Sequence, residues 1–248
     1  MLTIAVANQK GGVGKTTTAV ALAHGLALKN YTALLLDLDP QGQCASHLGM
    51  DQTDGVFNLL VNDPPLRDVI KTTGRPGLWL LPGSKRTKTA ETMMVIERQG
   101  MDTLGEILTE RVNGDKLHYL LLDTAPSAGG LQENALFACD VLLIPSAVDY
   151  LSLEGVREIL KTLQALARPE PPLVRILPTF FDEVTLESKA NLTRLREAFG
   201  AAILEPIHRA AVLRKCPALG MTIFEHDPES RAAREYAGVV WEVINATQ

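Results

Sequence analysis

Short runs of consecutive aliphatic residues recur along the chain, each closed by a polar or glycine-rich turn. Residues 2–7, 32–37, 78–81, 117–123, 141–145 and 174–181 read as strands of this kind. Runs that do not alternate with polar residues suit strands covered on both faces, as in a parallel sheet. Between them lie helical stretches. Residues 16–29 carry Val20, Leu22, Ala23, Leu26 and Ala27 on one face. Further helices are predicted at 131–139, 152–167, 186–199 and 231–245, and over 85–111 with a break near Gly100. A turn is expected at Asn113-Gly114. Residues 43–75 are less regular, with Gly49, Gly55, Asp63-Pro-Pro65 and Gly74 punctuating short helical pieces. Strands alternating with helices predict an α/β fold, a doubly wound and mostly parallel sheet with helices on both faces. No internal repeat or long linker interrupts this order, so one domain over residues 1–248 is expected.

Composition narrows the class. A chain of 248 residues can bury a sizeable core, and with aromatics at 5% aliphatic side chains must fill it. The net charge of −5 excludes a generally basic nucleic-acid binder, so any such role needs a local patch. Cys44, Cys139 and Cys216 are scattered and odd in number, which reads as reduced thiols in a cytoplasmic protein. No apolar run has the ~18 residues of a membrane span, and residues 2–7 read as a first strand rather than a secretory signal.

The candidate chemistry follows the first strand directly. Lys10-Gly-Gly-Val-Gly-Lys-Thr16 joins that strand to the first helix. Glycines let backbone N–H groups converge on an anion without a Cβ in the way, and the helix adds its positive end. Gly11, Gly12, Val13, Gly14, Lys15, Thr16 and Thr17 are therefore candidate phosphate contacts, with Lys15 on the β- and γ-phosphates and the Thr16 hydroxyl on Mg²⁺. The general phosphate-loop pattern wants glycine where Gln9 stands; a lysine at position 10 marks a different version.

Asn8-Gln-Lys-Gly-Gly-Val-Gly-Lys-Thr-Thr-Thr18 resembles the loop of deviant Walker A ATPases, most closely the ParA/Soj partition ATPases. The resemblance implies a P-loop ATPase using ATP and Mg²⁺, with Lys10 reaching the phosphates of a partner chain in an ATP-bound homodimer. Asp37-Leu-Asp-Pro-Gln-Gly42 resembles the family's second signature. On the residues alone, Asp39-Pro-Gln-Gly42 could equally be a plain β-turn. The resemblance makes Asp39 the residue that positions the attacking water, completing a catalytic set of Lys10, Lys15 and Asp39, and places Asp37 near the metal's water shell. Asp123 ends an aliphatic strand at the Walker B position, where a carboxylate holds Mg²⁺. Thr16, Asp37 and Asp123 are thus the expected metal set.

The resemblance continues through Asn134-Ala-Leu136, Asp149 to Gly155, Thr179-Phe-Phe-Asp182 and Asp227-Pro-Glu-Ser-Arg231. Ile207-His-Arg209 stands where the family usually reads Ile-Pro-Arg-Asn, so His208 and Arg209 are expected beside adenine, with His208 and Ala210 as departures. Starting at the first strand, the chain resembles the short forms without an N-terminal helix-turn-helix. The resemblance further implies non-specific duplex DNA as a partner, a ParB-like activator and nucleoid association. Arg209, Arg214, Lys215, Arg231 and Arg234 are the DNA candidates, though acidic residues interleave them. A membrane partner is not expected: no lysine or arginine follows Arg234, and Tyr236, Val239, Val240, Val243 and Ile244 form a core-facing stripe. Paired cysteines for an iron–sulfur cluster are lacking, since Cys139 has no second suitable thiol. The expected function is ATP-driven segregation of a chromosome or plasmid. A non-DNA cargo, or a switch set by ATP occupancy, are the alternatives.

Overall fold

The aliphatic runs do become adjacent strands. The structure, a computed structural model, describes residues 1–97, 100–112, 117–127 and 129–246. Its strands are β1 (Leu2–Val6), β2 (Ala33–Asp37), β3 (Lys71–Thr72), β4 (Leu78–Leu81), β5 (Tyr119–Asp123), β6 (Val141–Ala147) and β7 (Leu173–Thr179). They form a seven-stranded sheet in the order β3-β4-β2-β5-β1-β6-β7. Every pairing is parallel except β3 with β4. The two-residue β3 escaped the sequence pattern because it is too short to show a period. It covers one edge with an exposed Lys71, which discourages edge-to-edge pairing.

The helices are α1 (Lys15–Leu28), α2 (Gln43–His47), α3 (Gly55–Phe57), α4 (Leu66–Val69), α5 (Arg86–Ile96), α6 (Thr103–Val112), α7 (Gly130–Ala138), α8 (Ser152–Ala165), α9 (Leu186–Phe199), α10 (Ala211–Leu219), α11 (Ile223–His226) and α12 (Arg231–Ala246). The expected turn at Asn113-Gly114 lies outside the described residues. Successive strand residues point to opposite faces, so each run feeds two cores. Ile4, Val6, Leu35, Leu121 and Leu143 pack with α1, α2, α10, α11 and α12. Ala5, Leu34, Leu36, Leu122 and Ile144 pack with α6, α7, α8 and α9. The stripe from Tyr236 to Ile244 is buried, as its spacing predicts. α12 lies so close to α1 that a Cβ on Gly25 would stand 2.4 Å from Val240 Cγ2. Among the described residues no helix is long and apolar enough to cross a membrane.

Strand order turns at β1. Its chain neighbour β2 lies two places to one side, beyond β5, and β6 lies on the other side. Open α/β sheets bind ligands at the carboxyl ends of strands beside such a switch point. The loops after β1, β2 and β5 meet there.

Candidate active site

Parallel register dictates which acids meet. Asp37 is the last residue of β2 and Asp123 the last of β5, and they are direct cross-strand partners. Both are fully buried on the α1 side of the sheet, and burial pushes both carboxyls up, each aggravated by its acidic neighbours. Asp37 rises well above its ordinary value. Asp123 rises to about 6, held back by the Thr16 hydroxyl, the Cys44 thiol and the Lys15 ammonium. The Thr16 hydroxyl pulls on Asp123 without closing a bond to Oδ1, which is buried with no hydrogen-bond partner. Two buried carboxylates, one orphaned oxygen and a threonine hydroxyl make a hard, oxygen-rich donor set that fits Mg²⁺.

The glycine loop wraps the start of α1. Gly12 and Gly14 have φ of 72° and 90°, left-handed values that side chains resist. The Thr179 hydroxyl donates to the Val13 carbonyl (2.9 Å), and the Asn8 amide donates to Pro145 O (2.8 Å). These bonds hang the loop on β7 and β6. Lys15 is buried, and its ammonium donates to the Lys10 carbonyl at 3.1 Å. Burial lowers the Lys15 pKa, opposed by Asp123 and Asp39. The first turn of α1 carries no acid, so its positive end is left for an anion.

A cavity of about 370 Å³ is lined by Gly12, Gly14, Lys15, Thr16, Thr17 and Asp39, with Gln41, Gln43, His47, Pro126 and Phe180 around them. Asp39 is half-buried, and its side chain accepts from Gln41 N (2.9 Å). The turn 39–42 is held from outside. Gly42 has φ 62°, and a Cβ there would meet Gly83 O at 2.5 Å. A second cavity, of about 280 Å³, shares Gly14, Thr17 and Phe180 with the first and continues along Arg209, Ala210, Leu213 and Pro217. The two together offer a polar end for phosphates and an apolar end for a base.

Other sequence candidates sit differently. Lys10 bonds Asp149 (Nζ–Oδ2 2.5 Å), in the loop between β6 and α8. Arg209 lines the second cavity, but His208 does not. Its Nδ1 is 2.6 Å from Glu235 Oε1 and its Nε2 2.6 Å from Arg231 Nη2, which draws the ring toward α12. Arg214 and Lys215 are exposed on α10, and Arg214 also borders the second cavity. Arg231 is committed to Glu183 (3.0 Å) and Glu235 (2.8 Å), and Arg234 donates to the Glu229 carbonyl.

Cys44, Phe180 and Asp149 are site residues that the pattern did not single out. Cys44 N donates to Asp37 Oδ2 (2.8 Å) and its thiol to Asp123 Oδ2 (3.3 Å). Phe180 adopts φ 55°, strained for an aromatic residue, at the junction of the two cavities.

Known proteins resemble this chain in sequence and fold. Residues 1–175 match the family described as an AAA domain. The chromosome-partitioning ATPase Soj of Thermus thermophilus is 37% identical over 249 residues, covering 99% of this chain and 96% of its own. Cobyrinic acid a,c-diamide synthase from Mycobacterium smegmatis, solved with an ATP analogue and magnesium, superposes with a TM-score of 0.85. It is 27% identical, covering 100% of this chain and 96% of its own. Apo McdA of Cyanothece superposes at 0.87 with 20% identity, covering 98% of this chain and 99% of its own, a likeness of fold.

Proposed function

This chain belongs to the Soj/ParA family of Mg-ATP-dependent ATPases, and we propose that it cycles between a free monomer and an ATP-bound dimer that grips duplex DNA to partition a chromosome or plasmid. The convergence of Lys15, Thr16, Asp37, Asp39 and Asp123 at the ends of β1, β2 and β5 carries this reading.

In this reading the backbone N–H groups of residues 11–17 and the Lys15 ammonium hold the triphosphate. Thr16, Asp37 and Asp123 hold the magnesium, whose charge offsets that of the β- and γ-phosphate oxygens. The buried Asp123 Oδ1 supports that assignment, because an orphaned carboxylate oxygen gains most from a cation. Asp39, at the cavity wall, orients the attacking water. Phosphoryl transfer needs mainly position and charge neutralisation, which this set provides. The second cavity, lined by Phe180, Arg209 and Pro217, would hold the adenine. Lys10 exchanges Asp149 for the partner chain's phosphates when two loaded chains meet.

DNA binding is assigned first to Arg214 and Lys215. Both are exposed, and α10 packs on the cluster that also holds Cys44, Ala45 and Leu48. α2, which carries Cys44 and Ala45, begins a few residues after Asp39 and packs against α10, which links the γ-phosphate loop to the basic helix. Arg231 and Arg234 contribute less, since their guanidinium groups are already engaged. Hydrolysis, stimulated by a ParB-like protein, then releases the dimer in the cytoplasm. The mass of Asp39→Ala in solution tests this: with ATP it doubles from the 26.9 kDa of the chain. An ATP-saturated Asp39→Ala that stays monomeric would contradict the dimer cycle.

A further inference from the structure

The acids at the ends of β2 and β5 have a third neighbour of different chemistry. Cys44 lies at the start of α2, seven residues after Asp37; the strand register sets Asp123 opposite Asp37, and the Cys44 thiol reaches Asp123 from α2. The Cys44 sulfur and one oxygen from each carboxylate all lie within 4.8 Å of one another. All three residues are 0% exposed. The Sγ to Asp123 Oδ2 separation is already 3.3 Å, while Asp123 Oδ1 has no partner. Among the described residues no other three such side chains bring their ligand atoms this close to one another.

We propose that Asp37, Cys44 and Asp123 bind a thiophilic divalent cation, Zn²⁺ or Cd²⁺, through the Cys44 sulfur and one oxygen of each aspartate. A tetrahedral zinc ion, with Zn–S near ~2.3 Å and Zn–O near ~2.0 Å, sets its ligands roughly 3.3–3.6 Å apart. Side-chain rotations of about an ångström therefore close the site, and water entering from the adjoining phosphate cavity supplies the fourth position. On binding, the Cys44 thiol proton is released to solvent and the sulfur binds as thiolate. Magnesium gains nothing from the sulfur, because it prefers oxygen donors and keeps its waters. The triad thus gives this pocket a second metal preference beside the one the ATPase reaction uses. The soft ion occupies Asp37 and Asp123 in competition with magnesium.

The test needs no nucleotide, so it stands apart from the partition reading. Reduced, nucleotide-free protein is titrated with Cd²⁺ and the ultraviolet cadmium–thiolate charge-transfer band is followed. A chain carrying Cys139→Ser and Cys216→Ser keeps Cys44 as its single cysteine. The band is expected to saturate at one equivalent in both proteins and to vanish in Cys44→Ser. Cd²⁺ affinity should also fall there by more than the roughly 10–100-fold that losing an outer partner costs. Cadmium-113 resonance on the unsubstituted protein gives a check that no folding defect can blur, with one signal typical of a single thiolate among oxygens. No band at one equivalent, a band that survives Cys44→Ser, or a resonance without sulfur would each overturn the site. Turnover with Mg-ATP, measured on the same samples, reports separately on the ATPase.

Discussion

Asparagine in place of Asp123 separates the stability of the fold from the function of the pocket. Asp123 is fully buried at the end of β5, against Asp37, and burial lifts its carboxyl from the ordinary 3.8 to about 6. At about 1.4 kcal/mol per unit, that rise means the ionised side chain costs the nucleotide-free fold about 3 kcal/mol at neutral pH. Asp37 shares the same buried space, so this is an upper figure. The folded carboxyl holds its proton to higher pH than the unfolded one. Stability therefore falls as pH rises through the window from 3.8 to about 6 and stays reduced above it. Asp123→Asn removes the charge while keeping an oxygen for the Cys44 thiol. Without nucleotide it should melt above wild type at about pH 7.5, by up to roughly 6–12 °C for a chain of this size. The gap should shrink to about half by about pH 5. Circular-dichroism melts of both proteins across that range, with and without Mg-ATP, give the answer. Mg-ATP should raise the melting temperature of wild type far more than that of the variant. An Asp123→Asn protein that melts at or below wild type near neutral pH, or a gap that ignores acidification, would refute the reasoning.

Lys10→Ala should keep ATP binding, since Lys15 still faces the phosphate cavity, yet lose turnover by at least roughly 10²-fold; equilibrium binding and phosphate release measure the two separately. Gly42→Ala should cost about 1–3 kcal/mol of stability in urea melts, because φ is 62° there and the new Cβ would strike Gly83 O. Arg214→Glu combined with Lys215→Glu should leave ATP binding within a few-fold of wild type. It should weaken DNA binding and flatten its salt dependence by about 2 in logarithmic slope; an unchanged slope moves the DNA surface elsewhere.

Local patterns carry the parts of the molecule that are visible in the sequence. Leu34 to Leu36, Leu120 to Leu122 and Leu142 to Ile144 are apolar on consecutive positions because both faces of the sheet are covered, and this, with the helices that alternate with the strands, predicts a parallel, doubly wound sheet. The phosphate loop is legible because left-handed turns at positions 12 and 14 demand glycine. Features fixed by distant partners are not legible. His208 is held by Glu235, 27 residues away, and no local signal turns it from the base cavity. α10 was hidden because Pro217 interrupts its helical text. Cys44 meets Asp123 because the register of β2 with β5 sets Asp123 beside Asp37, a relation that spacing along the chain cannot state.

The central claim is that ATP, and not ADP, makes this chain a DNA-binding protein. Binding to a non-specific duplex, measured with ATP, with ADP and without nucleotide at two salt concentrations, tests it most directly. The account predicts tight binding with ATP alone, weakened steeply by salt as phosphate contacts require. Equal binding in all three states, or none in any, would contradict it.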